Sequence, residues 1–311
     1  MFYNEITFVI PSYKNTVTLK RAIDSIFGQK NKKFDIQIIV SEDISDNHDE
    51  IETIIKSYNS DRIKYFVNNP RLGMKENWNH CIFSVDTKYA IMLHDDDWLY
   101  DNYLDELEHI FLSGLEFDIL MFAHELCVDG EIRKNTYGRI KRLYNYIKEN
   151  KIKKIENSDY YFGGMQGNFV PTCGIVYRKE FMLRTGGYGD EGYSVDEIFI
   201  EQVCRNNKVY YYNSIVSAYS YTHNTNLSSM SNTKRAFVNE SFQHHMQMNY
   251  GVYKVVNKIV GRGLFLYLAY PWQEELFPDL VFTKKDFKKM KLFRIVSKLY
   301  IYSSILKFRK I

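Results

Sequence analysis

The stretch Tyr89-Ala-Ile-Met-Leu-His-Asp-Asp-Asp97 decides the fold and supplies the first candidate site. Its apolar run, bounded by polar residues, predicts a buried strand over 89–93. Three consecutive carboxylates follow, and in an open α/β sheet ligands bind at the carboxyl ends of the strands. Adjacent like charges need water or a cation, and carboxylate oxygens suit Mg²⁺ or Mn²⁺. The alternative is a helix start capped by Asp101, where acidic residues are favoured without any ligand.

Strands alternate with amphipathic helices on both sides of this stretch. Runs of β-branched and aromatic residues predict strands at 5–10, 35–40 and 63–67. Apolar residues at helical spacing predict helices between them, and Gly28 closes the first helix. This alternation predicts a doubly wound, parallel sheet, in which the loops after the strands meet on one rim. The residues that the prediction brings to this rim are Tyr13, Asp43, Arg71, Asp95, Asp96 and Asp97.

The composition is that of a globular protein. The chain has 311 residues, of which 45% are apolar and 25% charged, enough for one core or for a domain with an appendage. The four cysteines lack CxxC or Cys/His spacing, which predicts a reducing compartment without zinc or disulfides. We expect no signal peptide, because a predicted strand begins almost at the N-terminus, and no spanning helix. The expected location is therefore cytoplasmic.

The charge is distributed unevenly along the chain. Residues 284–311 carry a net charge of +9, and the rest of the chain carries −6. Within the basic segment, apolar residues recur at helical spacing from Leu292 to Leu306. A basic amphipathic helix of this kind can lie on an anionic membrane surface on the cytoplasmic side. Packing on the body or on a second subunit is the alternative, and a nucleic-acid partner is not expected, since the body is acidic and has no recognition motif.

The chain from residue 5 to about 230 resembles the family 2 glycosyltransferases, which are inverting nucleotide-sugar enzymes of the GT-A fold. The matching segments keep their order and spacing: Phe8-Val-Ile-Pro-Ser-Tyr-Lys-Asn15, Ala22-Ile-Asp-Ser-Ile26, Gln29, Val40-Ser-Glu-Asp43, Asp46, Asn69-Pro-Arg-Leu-Gly73, Asn77-Trp-Asn79 and the acidic triplet. The resemblance implies a GT-A domain over 1–230, a mostly parallel sheet with helices on both faces. A helical region is expected to follow over 231–311.

The resemblance also implies roles for residues of the first half. Pro11 and Tyr13 belong to the donor site, where Tyr13 stacks on the nucleobase. Asp43 accepts a hydrogen bond from the base, and Arg71 contacts the diphosphate, whose oxygens suit a guanidinium group. Each residue also has an ordinary explanation: an exposed loop tyrosine, a turn aspartate and a solvated loop arginine.

The acidic triplet departs from the family pattern Asp-x-Asp-Asp, because His94 occupies the position of the first aspartate. Asp95 then falls on the variable position, and Asp96 and Asp97 fall on the positions that reach the sugar or ribose and the metal. The resemblance therefore implies Asp97 as a metal ligand, with Asp95 and Asp96 on the donor side. His94 is either a substrate contact or a strand-end histidine with a backbone partner.

Two further elements complete the site that the resemblance implies. Asp196 and Glu197 match an acidic pair before an apolar helix, and one of them is the general base that an attacking hydroxyl needs. Helix capping is the alternative for this pair. His223 lies before a Ser-rich turn and is a candidate metal ligand or phosphate donor. The nearby Gly187-x-Gly-x-x-Gly192 follows a predicted helix rather than a strand, which disfavours a dinucleotide fingerprint.

These expectations define a hexosyltransferase of the type that builds bacterial surface polysaccharides. A sugar moves with inversion from a nucleotide donor, expected to be a UDP-sugar, to a saccharide or lipid-linked saccharide, with Mn²⁺ or Mg²⁺. Two alternatives remain. A sugar-phosphate nucleotidyltransferase would need a Gly-rich basic loop after the first strand, which 11–15 lacks. A non-catalytic nucleotide-sugar-binding module would not need the acidic pair.

Overall fold

The computed structural model describes residues 4–133, 151–163, 172–189, 192, 195–220, 231–248, 250–270, 277–307 and 309–311. The strands within these ranges are β1 (Asn4–Ser12), β2 (Phe34–Asp43), β3 (Ile63–Asn68), β4 (Tyr89–Met92), β5 (Trp98–Leu99), β6 (Ile119–Val128), β7 (Glu131–Arg133), β8 (Lys151–Lys154), β9 (Ile175–Arg178), β10 (Val209–Ser220) and β11 (Arg309–Lys310).

The helices within the same ranges lie mostly between these strands, and the last three follow β10. They are α1 (Leu19–Phe27), α2 (His48–Ser57), α3 (Met74–Phe83), α4 (Tyr103–Leu112), α5 (Asn157–Gly163), α6 (Lys179–Thr185), α7 (Val195–Cys204), α8 (Ser231–Gln247), α9 (Gly251–Ala269) and α10 (Lys284–Ile305). The predicted elements of the first hundred residues are confirmed, including the end of α1 at Gly28.

All the described strands belong to one mostly parallel sheet, in the order β11-β8-β10-β6-β9-β4-β1-β2-β3, with β5 beside β10 and β7 beside β6. The run β3-β2-β1-β4 is parallel throughout, and β6 and β10 also pair in parallel. Strand β9 is antiparallel to both β4 and β6 and joins the two parallel parts. The carboxyl ends of β1, β2 and β4 therefore meet on one rim.

Helices cover both faces of the sheet, as the fold class predicts. One buried cluster packs α1, α2 and α4 against residues such as Ile6 and Phe8 of β1. The other packs α3, α6 and α7 against the opposite face, including Val9. Neighbouring residues of one strand point to opposite faces, so the continuous apolar run of β1 supplies both clusters.

The structure rejects one alternative and corrects one prediction. The acidic triplet does not begin a helix, because β5 separates it from α4, and α4 begins after Asn102 rather than at an Asp101 cap. Apolar and aromatic runs at 208–212 and 215–221 predict two strands, but the structure has one strand there, β10, with irregular register between Tyr212 and Ser217. A bulge of this kind interrupts the alternation of side chains without ending the strand.

The C-terminal helices share a core with the sheet domain. Phe293 of α10 and Leu264 of α9 pack with Tyr161 and Phe162 of α5 in a third buried cluster. Strand β11 then returns to the edge of the sheet beside β8. The two glycines of 261–263 predict an interruption of the helix, and Gly261 does have non-helical backbone angles inside α9. Pro271, which predicts a second interruption, lies outside the described residues, and the division at residue 230 stays a prediction.

Candidate active site

The acidic triplet forms a tight turn directly after β4. The backbone N–H of Asp97 donates to the carbonyl of His94 at 3.1 Å, and β5 begins at the next residue. Asp97 is fully buried, and its Oδ1 accepts a hydrogen bond of 2.8 Å from the backbone N–H of Ser220 at the end of β10. Its second oxygen, Oδ2, has no hydrogen-bond partner among the described residues. The turn therefore holds one carboxylate oxygen free in a buried position.

Side chains of the loop after β1 and of α1 fix the rest of the triplet. The Asp95 carboxylate accepts hydrogen bonds from the backbone N–H of Tyr13 at 3.2 Å and from the Asn15 amide at 3.3 Å. The Thr18 hydroxyl donates to the Asp95 carbonyl, and Arg21 donates to the Asp96 carbonyl at 2.6 Å. Asp95 therefore organises the loop, and the backbone contacts leave the Asp96 carboxylate available.

Three residues of this turn can hold a metal ion together. One ligand atom each of His94, Asp96 and Asp97 lie within 4.8 Å of one another. Asp97 Oδ2 has no hydrogen-bond partner among the described residues, and Nδ1 of His94 lies 3.9 Å from it. The Trp78 ring stacks on the imidazole at a centroid distance of 4.8 Å, which fixes its plane. An imidazole nitrogen beside a buried, unused carboxylate oxygen fits a divalent cation such as Mn²⁺.

The electrostatics of the triplet also favour a cation. Burial raises the pKa of Asp95 to about 6, and burial together with the Asp95 charge raises that of Asp96 to about 7. Burial and the charge of Asp96 raise the pKa of Asp97 well above its usual range. Burial lowers the pKa of His94 to about 4, so its imidazole is neutral, the form that ligates metals. A divalent cation would reverse the carboxyl shifts, because it stabilises the ionised forms.

Tyr13 and Arg71 come together at the same rim. The Arg71 guanidinium lies over the Tyr13 ring at 3.9 Å. The tyrosine is half-buried, the arginine is exposed, and the Tyr13 backbone is bonded to Asp95. Pro11 is buried at the end of β1, opposite Ser41 of β2. The structure thus brings together the first-strand, loop and triplet residues that the sequence selected for the donor.

Asp43 holds the loop that carries Arg71. Its carboxylate accepts hydrogen bonds from the backbone N–H groups of Leu72 and Gly73, at 3.1 and 2.8 Å, and from the Asn68 amide at 3.1 Å. It is buried, and both its oxygens are engaged within the protein. Its predicted contact with the base stays a prediction, and this geometry gives it a positioning role as well.

Glu42 is a candidate site residue that the sequence analysis did not select. Its side chain is fully buried, and Oε2 accepts from Tyr65 and lies 3.0 Å from Nδ1 of His48. The other oxygen, Oε1, has no partner among the described residues. The signal was present in Ser41-Glu-Asp43, which offers two adjacent acids at the end of one strand. The residue types alone do not show in which direction the side chains of Glu42 and Asp43 point. The sequence therefore could not show which of the two acids has an unused oxygen.

Asp196 and Glu197 begin α7 and face a different environment from the triplet. The Asp196 carboxylate accepts a 2.8 Å hydrogen bond from the backbone N–H of Glu197, and both side chains are half-buried. Burial, followed by the Asp196 charge, raises the pKa of Glu197 to about 8, and burial raises that of Asp196. Glu197 therefore has a pKa close enough to neutral for a general base, and Asp196 is shifted in the same direction.

An aromatic chain connects the triplet to α7. Trp78, which stacks on His94, meets the Tyr188 ring at 5.4 Å, and Tyr188 packs on Phe199 of α7 at 5.0 Å. The Tyr188 hydroxyl is hydrogen-bonded to that of Tyr177. The sequence reasoning did not select these residues, because contacts between separated segments leave no local signal. The second candidate metal ligand, His223, lies outside the described residues.

Asn79 of α3 fixes the backbone of this chain. Its amide donates to the Tyr188 carbonyl at 2.9 Å and accepts from the Tyr188 N–H at 2.8 Å. Gly187 has φ +73°, and a Cβ there would lie 2.3 Å from the Asn79 oxygen, so the close approach requires glycine. Helix α6 precedes this glycine, as predicted, which removes the dinucleotide interpretation of 187–192.

Comparison with known proteins identifies the family. The family described as "Glycosyl transferase family 2" matches residues 7–171, more than half of the chain. The chain therefore belongs to this family.

The chain is similar to two curated relatives, one of which is named as a glucosyltransferase. The GalNAc(5)-diNAcBac-PP-undecaprenol beta-1,3-glucosyltransferase of Campylobacter jejuni is 27% identical over 192 residues, which cover 61% of this chain and 56% of that protein. An uncharacterized protein of Mycobacterium tuberculosis, MT1568, is 25% identical over 197 residues, or 62% of this chain and 59% of that protein. The chain thus matches somewhat more than half the length of these relatives.

Solved structures share the fold. S. aureus TarS 1–349 in complex with UDP-GlcNAc superposes with a TM-score of 0.61 at 13% identity, over 97% of this chain and 81% of that one. The mannosyltransferase PcManGT from Pyrobaculum calidifontis, in complex with GDP-Man and Mn²⁺, superposes with a TM-score of 0.60 at 10% identity, over 99% and 87%. These similarities confirm the GT-A fold.

Proposed function

We propose that the protein transfers a sugar, with inversion, from a UDP-sugar to a hydroxyl of a saccharide or lipid-linked saccharide, in the assembly of a surface polysaccharide. The observation that carries the proposal is the His94, Asp96 and Asp97 cluster on the same rim as Tyr13 and Arg71. A donor site requires a base-stacking group, a cation for the diphosphate and a cationic side chain close together. This rim offers the ring of Tyr13, the residues that would hold a cation and the guanidinium of Arg71.

In this proposal, Tyr13 stacks on the base and Arg71 contacts the diphosphate. Asp43 is proposed to reach the base while it holds the Arg71 loop, and Pro11 shapes the floor of the same pocket. Asp95 keeps the loop after β1 in place, and Asp96 faces the ribose or sugar. Asp97, with His94 and Asp96, would hold Mn²⁺ or Mg²⁺, and His223 is proposed as a further ligand. The bound cation would neutralise charge on the departing diphosphate.

The transfer is proposed as a single displacement. The acceptor oxygen forms a bond to the anomeric carbon while the bond from that carbon to the diphosphate oxygen breaks, which inverts the configuration. The hydroxyl proton passes to the carboxylate of Asp196 or Glu197, and the nucleoside diphosphate leaves. Positioning of the two substrates supplies much of the acceleration, because it replaces a bimolecular encounter by a bound one.

The UDP-sugar and the lipid-linked acceptor rest on similarity. TarS is described in complex with UDP-GlcNAc, and the Campylobacter relative carries an undecaprenol-linked acceptor in its name. PcManGT, by contrast, is described with GDP-Man, so GDP-sugars belong in any test. A non-catalytic donor-binding module is the second candidate. Such a module would need no general base, so it gives no role to Asp196 and Glu197.

A thermal-shift panel of UDP-, GDP- and dTDP-sugars, each with and without Mn²⁺, tests the donor. Binding to the folded state raises the melting temperature by mass action. We expect a shift for UDP-sugars that needs Mn²⁺. A shift for another nucleotide alone would replace the donor, and no shift for any nucleotide on folded protein would overturn the donor site. Incubation of the protein with a UDP-sugar and Mn²⁺ distinguishes an enzyme from a binding module, because only an enzyme releases UDP.

A further inference from the structure

Helix α10 has two apolar sides, and only one of them packs on the protein. Met290, Phe293 and Ser297 are buried on the inner side, where Phe293 joins the cluster formed with α5 and α9. Four apolar side chains elsewhere on the helix, and Leu306 directly after its end, are 42–85% exposed: Leu292, Ile295, Leu299, Tyr302 and Leu306. At about 100° per residue, these five form one stripe on the side opposite Phe293. This outer stripe is defined here by those five residues.

The outer stripe is an unusual feature for a protein surface. Single exposed apolar residues are common, but a continuous apolar row on a helix normally faces a partner. The inner side of α10 already satisfies the packing on the body, so the outer stripe does not serve that purpose. The neighbouring helix α9 adds Val252, Val255 and Ile259, which are 50–59% exposed.

The charges around the outer stripe are all positive. Lys288, Lys291, Arg294 and Lys298 lie on the same helix. The one acid of 284–311 is Asp286, which is buried and accepts hydrogen bonds from Thr283 at the start of the helix. No acidic residue of α10 is therefore available to balance these cations. The partner that fits is apolar at its centre and anionic at its surface.

The helix presents this stripe as part of a fixed body. Thr283 and Asp286 bond to each other reciprocally and cap its first turn. At the other end, Lys307 pairs with Glu156, and β11 is hydrogen-bonded to β8. Among the described residues, no helix is long and apolar enough to cross a membrane. These features describe a helix that lies along a surface.

We propose that the outer stripe of α10, with the exposed side of α9, lies on an anionic lipid bilayer. The apolar side chains enter the boundary between headgroups and acyl chains, and the lysines and arginine contact the lipid phosphates. A second copy of the chain fits less well, because a symmetric dimer through this helix would place like charges opposite each other. The inference does not depend on the identity of the donor.

Sedimentation with lipid vesicles tests the proposal on the full chain. The vesicles contain phosphatidylcholine alone or phosphatidylcholine with phosphatidylglycerol. We expect binding only to the anionic vesicles and weaker binding with added salt. Lys291→Gln and Lys298→Gln each lower the partition coefficient by about fivefold. Ile295→Asp with Leu299→Asp lowers it by at least about tenfold, since it removes apolar contact and adds repulsion.

Leu112→Asp is the matched control, because Leu112 is 64% exposed on α4, in the sheet domain. It should bind vesicles like the unmodified chain, and circular dichroism checks that every variant is folded. The proposal is overturned if the unmodified chain ignores anionic vesicles or if the α10 double variant binds them equally well. It is also overturned if the chain forms a dimer that Leu299→Asp dissociates, because the stripe then belongs to a second copy.

Discussion

The carboxylates after β4 and the acid pair at the start of α7 differ in how the protein holds them. Asp95 and Asp97 accept hydrogen bonds from the loop after β1 and from β10, so two separate parts of the chain fix the turn. Asp196 accepts a hydrogen bond from the backbone N–H of the residue that follows it. Burial raises the pKa values in both places. The two places therefore differ in their hydrogen bonds to the rest of the protein, and the roles we propose for them differ too: the triplet holds a cation, and one acid of the α7 pair accepts a proton.

Asp97→Asn is the change with the largest expected effect on the triplet. It should lower kcat/KM by about a thousandfold or more, because the cation would lose its buried carboxylate ligand. The asparagine oxygen still accepts from Ser220, so the metal-free melting temperature should not fall. Asp101→Asn is the control, since that exposed aspartate pairs with Lys30. Full activity in Asp97→Asn would show that the triplet does not hold the cation.

Asp196→Asn and Glu197→Gln test the other side of the comparison. The substitution that removes the general base should lower kcat by about 10²- to 10⁴-fold. The substitution at the other acid of the pair should lower kcat by a smaller factor. Donor affinity should stay unchanged in both, unlike in Asp97→Asn. Glu180→Gln is the matched control, because Glu180 is an exposed acid in the first turn of α6. Equal loss of donor affinity in both α7 variants would contradict separate roles for the two acidic sites.

The pH dependence sharpens the same comparison. Glu197 has a raised pKa of about 8, so the base becomes ionised as pH rises, and kcat/KM should rise from pH 6 toward about 8. In the folded protein, the pKa values of Glu197 (about 8) and Asp96 (about 7) lie above their values in the unfolded chain. Folding therefore takes up protons at both carboxyl groups. The metal-free free energy of unfolding should therefore fall as pH rises from about 5 to 8. Melting curves recorded across this pH range check the prediction, and added Mn²⁺ should make the loss of stability smaller. A free energy of unfolding that rises with pH would contradict the raised pKa values.

Asn79→Ala has a smaller expected effect on activity and tests the link between the two acidic sites. It leaves the N–H and carbonyl of Tyr188 without their partner, at a cost of about 2–4 kcal/mol in the free energy of unfolding. Displacement of Tyr188 should lower kcat by about tenfold with little change in donor KM. Asn102→Ala is the control, since its amide bonds the Ile215 carbonyl near the surface. A change in donor KM alone would place Asn79 on the donor side instead.

The parallel part of the fold could be predicted from the sequence, and the reason is local. Continuous apolar runs and amphipathic helices alternate from β1 to β4, and each boundary carries a polar or glycine signal. The antiparallel β9 could not be predicted in the same way, because a short run such as Ile-Val-Tyr-Arg does not encode a strand direction. For β10, the bulge between Tyr212 and Ser217 interrupted the pattern and looked like the end of a strand.

The candidate site could be predicted in part. Residues at strand ends were found, because the fold class brings those ends together. The stacking of Trp78 on His94 and the free oxygen of Glu42 depend on side-chain directions from separate segments, which a local pattern does not contain. In α10, the periodicity identified the apolar stripe but not the side on which the helix packs, because Met290 and Phe293 form the shorter row.

The central claim is tested most directly by titrating UDP into protein that was prepared free of metal, in the presence and in the absence of added Mn²⁺. The titration is done on the unmodified chain, on Asp97→Asn and on Asp196→Asn. The account predicts binding that needs Mn²⁺ in the unmodified chain, loss of that binding in Asp97→Asn and full retention in Asp196→Asn. Binding that ignores Mn²⁺ and survives Asp97→Asn would contradict it, because the buried cluster after β4 would then not be the donor's metal site.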